Sequence, residues 1–139
     1  MTDARRSASP QAAAVSIGIA VVEHRGRYLI GTRGDDGPLP GLAEFPGGKL
    51  LPGETPSECA RRECVEETGL AVVPVELLLR REFRYPHATL DLHFFLCRPA
   101  DPAAVAEDHR GCRWVPASEL AALRFPEANA PLIARLASR

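Results

Sequence analysis

Gly48-Lys49-Leu50-Leu51-Pro52-Gly53-Glu54-Thr55-Pro56-Ser57-Glu58-Cys59-Ala60-Arg61-Arg62-Glu63-Cys64-Val65-Glu66-Glu67-Thr68-Gly69-Leu70 is the stretch on which the reading of this 139-residue chain turns. Pro52-Gly53 marks a turn, and helix signals follow it at once. Thr55-Pro56-Ser57-Glu58 has the form of a capping box, with Thr55 at the N-cap and Glu58 three residues on. Pro56 falls at the first helical position, where a missing N–H is no loss. Gly69 supplies a left-handed stop after Thr68, so the spacing predicts a helix over 56–68. Within it Glu63, Glu66 and Glu67 fall at i, i+3 and i+4, and at about 100° per residue they form one stripe. Like charges so placed repel and destabilise a bare helix. Arg62, four residues before Glu66, can pair with it, but one guanidinium does not neutralise three carboxylates. Two readings follow: a solvated acidic face, or a set of ligands that a divalent cation draws together. Hard carboxylate oxygens suit Mg²⁺ or Mn²⁺ rather than zinc.

The frame around the stripe separates the two. From Gly48, five residues lead to Glu54 and seven more to Arg62-Glu63, followed by Cys64, Val65, Glu66-Glu67, Thr68, Gly69 and Leu70. At ordinary residue usage, agreement at the typed positions Gly48, Glu54, Arg62, Glu63, Glu66, Glu67 and Gly69 arises by chance on the order of 10⁻⁸ per start position. The pattern Gly-x5-Glu-x7-Arg-Glu-U-x-Glu-Glu-x-Gly-U, with U apolar, is the Nudix signature, and the chain resembles a Nudix hydrolase closely over this box and more loosely over 15–137. Cys64 stands where an aliphatic residue is commoner, and a buried Cys packs as a small hydrophobe.

The resemblance implies an α+β fold with a mixed β-sheet sandwiched between helices (α/β/α), the box forming a loop, a helix and a loop. It implies that Glu63, Glu66 and Glu67 ligate Mg²⁺, with Mn²⁺ as a substitute and the Gly47 carbonyl as a further oxygen. Glu54 and Arg62 would orient that set by hydrogen bonds and ion pairing. Water would attack a diphosphate bond, with Glu66 or Glu67 taking its proton. Asp108-His109, six residues before Trp114, stands where related proteins often carry Glu-His. Asp108 is therefore a further metal candidate, with Glu107 as its stand-in and an ordinary polar loop as the other reading.

The flanks resemble the MutT branch of the family, which sanitises nucleotide pools. Glu44-Phe45-Pro46-Gly47 runs into the box as it does in MutT-like enzymes, and Arg33 ends a strand where they place an arginine near the nucleotide. Phe125-Pro126-Glu127-Ala128-Asn129 is similar to a segment whose Asn reads the purine edge in 8-oxo-dGTP hydrolases. An Asn amide carries both donor and acceptor and so can tell an oxidised guanine from a normal one. Each has a second reading: Asn129 as N-cap of the last helix, Phe45 as plain core, Arg33 as a solvated charge. The resemblance implies a nucleoside triphosphate pyrophosphohydrolase that cuts 8-oxo-dGTP to monophosphate and pyrophosphate by attack at the β-phosphorus. The alternatives are CTP, 5-methyl-dCTP or nucleotide sugars as substrate, or a Nudix-fold nucleotide-binding module without catalysis. Tyr85, Pro86 and His87 are expected at a hairpin rim, with no role assigned.

Composition sets the frame. Hydrophobic residues make up 45% and charged residues 25%, an ordinary globular balance, and the net charge is -1. No basic run is present to neutralise a phosphate backbone, so a free nucleotide is a better partner than a nucleic-acid polymer. Cys59, Cys64, Cys97 and Cys112 form no Cys-x-x-Cys pair, which speaks against zinc and for a reduced, cytoplasmic setting. Residues 1–14, rich in Ala, Ser and Arg, are expected to be a disordered tail, and 15–139 a single domain, monomeric or homodimeric, with no membrane span.

The remaining elements follow from periodicity. Val15, Ile17, Ile19 and Val21 alternate as a half-buried strand, with a returning strand over 27–33, a loop over 34–41 and a short strand over 43–45. Strands are expected over 75–83, 89–97 and 113–115, a loop over 98–111, and helices over 118–123 and 130–136. Leu90, Leu92, Phe94 and Leu96 should share one face. That order suits a mixed sheet with helices packed on it.

Overall fold

The computed structural model describes residues 14–139, so the expected tail lies outside the described residues except for Ala14. The alternating run opens β1 (Val15–His24), and β2 (Arg27–Thr32) returns beside it, Glu23 opposite Tyr28. Arg25 and Gly26 between them have φ of 54° and 79°, the double positive φ of a type I′ hairpin turn. β3 (Ala43–Glu44) pairs with β2, and β4 (Gly47–Lys49) pairs with β1, Gly48 opposite Gly18. β4 was not expected, because Gly-Gly-Lys shows no alternation. It forms because glycines on both sides let two backbones approach: a Cβ on Gly47 would lie 2.7 Å from the Gly18 carbonyl oxygen.

α1 (Pro56–Thr68) has the expected bounds. The capping box closes, with Glu58 N–H donating to Thr55 Oγ1 at 3.2 Å and Thr55 N–H donating to Glu58 Oε1 at 2.9 Å. Gly69 ends the helix at φ 77°, its N–H donating to the Val65 carbonyl. Such a cap stabilises a helix by about 1 kcal/mol.

β5 (Val72–Arg84) pairs antiparallel with β6 (Thr89–Pro99), which runs parallel to β1 from Val15 opposite Leu90 to Val22 opposite Cys97. β5 starts three residues earlier than its pattern suggests. Pro74 masks the start, and the sheet accepts it because β5 is an edge strand with a register shift between Pro74 and Glu76. The expected loop over 98–111 contains a 3-10 turn at Pro102–Ala104 and β7 (Asp108–His109), which pairs with β8 (Cys112–Pro116). The helix expected over 118–123 is a 3-10 helix at Ala117–Ala122, six residues long with no side-chain cap. α2 (Ala130–Ala137) follows a 3-10 turn at Glu127–Asn129.

The sheet is mixed, in the order β5-β6-β1-β2-β8-β7, with β3 and β4 attached to β2 and β1. Leu92, Phe94 and Leu96 are buried on one face with Ile19, Val21, Leu132 and Leu136, under α2. Ala20, Val22, Leu29, Ala60, Cys64 and Cys97 are buried on the other, under α1. The result is the expected α/β/α arrangement. Arg135 ties α2 to the Leu78 carbonyl of β5. α1 seats on β1 at Gly18, where a Cβ would press on the Pro56 carbonyl and lie 2.8 Å from Cys59 Cβ. Among the described residues no helix is long and apolar enough to cross a membrane.

Candidate active site

Arg62 is the hub of the box. Its Nε and Nη2 donate to the two Glu54 oxygens at 2.7 and 3.0 Å, and Nη2 also reaches the Lys49 carbonyl at 3.1 Å. Its Nη1 donates to Glu63 at 3.2 Å and to Glu66 at 3.1 Å. Glu54 in turn accepts the Leu51 N–H at 2.9 Å. The Arg62 fork and then this N–H lower the Glu54 carboxyl to about 2, so it is ionised throughout the physiological range. One guanidinium thus pins the loop before α1 to two carboxylates on it.

Glu67 lies on the buried side of the same stripe. Burial, then the neighbouring Glu63 carboxylate and the Glu44 charge, push the Glu67 carboxyl up to about 8, with the Gly47 amide opposing. Glu63 itself is held tightly: a Cβ on Gly48 would collide with its carboxylate. A desolvated carboxyl beside a second carboxylate is a fit for a hard divalent cation. Among the described residues, no three His, Cys, Asp or Glu side chains close around one point as a ready cage. Glu63 and Glu66 share the Arg62 Nη1 donor, and Glu63 and Glu67 form the close pair. That is still compatible with Mg²⁺, which is commonly held by one or two carboxylates with substrate phosphates completing its shell.

The other expected residues extend from this pair. Glu44, raised chiefly by burial, accepts Arg33 Nη1 at 3.2 Å, while Arg33 Nε donates to the Pro38 carbonyl at 2.9 Å. Arg33 is thus tied down, and its charge is felt at the Tyr85 hydroxyl. Phe45 is buried and stacks on Phe125 at 5.3 Å between ring centres, so its side chain is core. Pro46 is buried, and its carbonyl accepts the Ala20 N–H at 2.8 Å. Asn129 is 9% exposed, in helical conformation, and makes no capping hydrogen bond to α2. Asn129 thus occupies the N-cap position of α2, as its second reading expects, but its side chain makes no capping bond there. Asp108 is exposed and accepts the Gly111 N–H at 3.3 Å within the β7–β8 turn.

Three residues escaped the sequence reading. Arg110 sits at φ 55° beside Gly111 at 91°, a second Arg-Gly hairpin turn, and its Nη1 donates to the Glu66 carbonyl at 2.9 Å. It covers the C-terminal end of α1, whose last turn has no basic residue of its own. Cys112 lies over Gly31, 2.9 Å from where a Cβ would be, and burial and then the Glu67, Glu44 and Asp108 charges raise its thiol. Arg81 reaches the Ala128 carbonyl at 3.1 Å. An Arg-Gly pair between short strands was a readable signal for the first of these; the other two depend on contacts across the fold.

A fold of this topology with this box defines a class. The NUDIX domain family model matches residues 18–135, and the chain belongs to that family. It is 39% identical over 93 residues to the 8-oxo-dGTP diphosphatase of Haemophilus influenzae, covering 67% of this chain and 68% of that protein. It is 31% identical over 122 residues to the 8-oxo-dGTP diphosphatase of Escherichia coli, covering 88% and 94%. The MutT protein from Methanosarcina mazei Go1 superposes with a TM-score of 0.73 at 21% identity, over 88% of this chain and 92% of that one, and shares the fold. The chain is accordingly a MutT-like Nudix hydrolase, acting on diphosphate bonds, in a family that generally uses a divalent metal.

Proposed function

We propose that this protein is a Mg²⁺-dependent nucleoside triphosphate pyrophosphohydrolase with 8-oxo-dGTP as its leading substrate. The observation that carries the reading is the close Glu63–Glu67 pair on the box helix, with Glu67 desolvated. Glu63 and Glu67 would hold the ion, and Glu66 would join them by turning from Arg62. A bound divalent ion polarises phosphoryl oxygens and lowers the pKa of attacking water. Arg62 and Glu54 keep the loop and helix in register, so that the carboxylates meet the phosphates in one geometry. Glu66 or Glu67 accepts the water's proton. The water oxygen bonds to the β-phosphorus and the bridging oxygen leaves with the nucleoside monophosphate, giving monophosphate and pyrophosphate.

At the other end Asn129 reads the base. A buried amide that makes no capping bond to α2 has its donor and acceptor available for a purine edge. Arg33, held by Glu44 and the Pro38 carbonyl, supplies positive charge on the path between. A free nucleotide suits this site better than a polymer, since the chain carries a net charge of -1. Turnover of a nucleotide panel with Mg²⁺, with products identified by chromatography, tests the reading. The expected result is preferred hydrolysis of 8-oxo-dGTP to 8-oxo-dGMP and pyrophosphate. Strong turnover of CTP with none of 8-oxo-dGTP would end it, and orthophosphate as product would move the attack to the γ-phosphorus.

A further inference from the structure

Side chains at alternate positions 81, 83, 85 and 87 form one continuous stack along the end of β5 and into the turn after it. The Arg81 guanidinium lies 5.0 Å over the Phe83 ring. Phe83 tilts against Tyr85 with ring centres 4.8 Å apart, and Tyr85 stacks on His87 at 5.1 Å. Aromatic and cation–π contacts in series restrict the rotamer of each member.

The stack meets the chain again at Ala128. Arg81 Nη1 donates to the Ala128 carbonyl at 3.1 Å, and the Ala128 N–H donates to the Tyr85 hydroxyl at 3.3 Å. Both backbone polar groups of one fully buried residue are thus held by side chains from a distant hairpin. The Ala128 carbonyl belongs to the peptide that joins it to Asn129, so its direction fixes where the Asn129 side chain starts. The 3-10 turn Glu127–Asn129 has no side-chain cap of its own. Its backbone bonds, Asn129 N–H to the Pro126 carbonyl at 2.9 Å and Ala130 N–H to the Glu127 carbonyl, leave the Ala128 peptide groups to the hairpin.

We propose that Arg81 and Tyr85 are positioning residues for base recognition, holding Ala128 from both sides so that the Asn129 amide presents one fixed edge to the nucleotide. The proposal rests on the reading of Asn129 as the base-reading group given above. Neither residue is assigned contact with the substrate.

Steady-state kinetics of the full chain on 8-oxo-dGTP and dGTP, with Mg²⁺, test it in Arg81→Gln, Arg81→Lys, Tyr85→Phe, Asn129→Ala and the double variant Arg81→Gln/Asn129→Ala. Arg81→Gln and Tyr85→Phe are expected to lower the kcat/KM ratio of the two nucleotides by about 5- to 10-fold through KM, with kcat within about 2-fold of wild type. Arg81→Lys, which keeps a charged donor on a side chain of similar reach where the shorter Gln does not, should restore most of the ratio. In the Asn129→Ala background Arg81→Gln should change nothing further, because the group it positions is gone. A wild-type ratio in both Arg81→Gln and Tyr85→Phe, with the ratio lost in Asn129→Ala, overturns the positioning role and leaves the base reading intact. A wild-type ratio in Asn129→Ala overturns both. An equal fall in kcat for both nucleotides makes the contacts merely structural and also overturns the proposal. Tyr85→Phe removes a single oxygen, so it carries the test if Arg81→Gln does not fold.

Discussion

Glu67 is the residue whose ionisation says most about the site. Its carboxyl is raised to about 8 chiefly by burial and next by Glu63. A carboxyl that is harder to ionise folded than unfolded contributes fully to stability below the usual carboxylate range, and that contribution is lost as the pH climbs towards about 8. A glutamine at this position does not ionise. In chelator, Glu67→Gln should therefore melt close to wild type at about pH 5 and above it at about pH 8.5, while its turnover falls by orders of magnitude. Thermal melts across that range check the point, and a gap that does not widen with pH would contradict the desolvated carboxylate pair. Glu54, in the loop before α1, is the opposite case: two N–H groups of Arg62 and the Leu51 N–H hold it ionised.

At the scale of elements, the critical contact is α1 on β1. Gly18 allows it, and Gly18→Ala would force a Cβ against the Pro56 carbonyl and Cys59, overpacking that costs about 1–3 kcal/mol. Urea denaturation should show that loss with little change in slope; full stability in the variant would mean that the helix is seated elsewhere. The helix itself was legible from sequence because its determinants are local: the Thr55–Glu58 box, Pro56 and Gly69 all act within a turn. The spacing of Glu63, Glu66 and Glu67 was legible for the same reason. β4 was not, since Gly47 and Gly48 pair through what they lack. The early start of β5 was hidden by Pro74, acceptable only at an edge that the local sequence does not announce. The 3-10 helix at Ala117–Ala122 has a helical apolar pattern, and over six residues that pattern does not separate the two helix types.

For the molecule as a whole, the fold links parts distant in sequence: Glu67 of α1 feels the Glu44 charge, Glu44 on β3 pairs with Arg33 just after β2, and Ala128 before α2 is held by Arg81 and Tyr85. The sequence held the carboxylates of α1 in one contiguous motif. The others appeared only as likeness to MutT flanks, because an ion pair between residues 33 and 44 or a hydrogen bond from 81 to 128 leaves no periodic trace. This division explains why reaction class is easier to read than base preference. In the proposed function the chemistry is assembled on one helix, whereas recognition is assembled by the fold. The claim beneath both is that Glu63 and Glu67, from successive turns, are brought together by a divalent ion. Mn²⁺ binding to the full chain, followed by electron paramagnetic resonance in wild type and in Glu63→Gln/Glu67→Gln, tests it directly. The expected result is saturable binding in wild type that the double variant loses while staying folded; equal Mn²⁺ affinity in the two proteins would contradict the account.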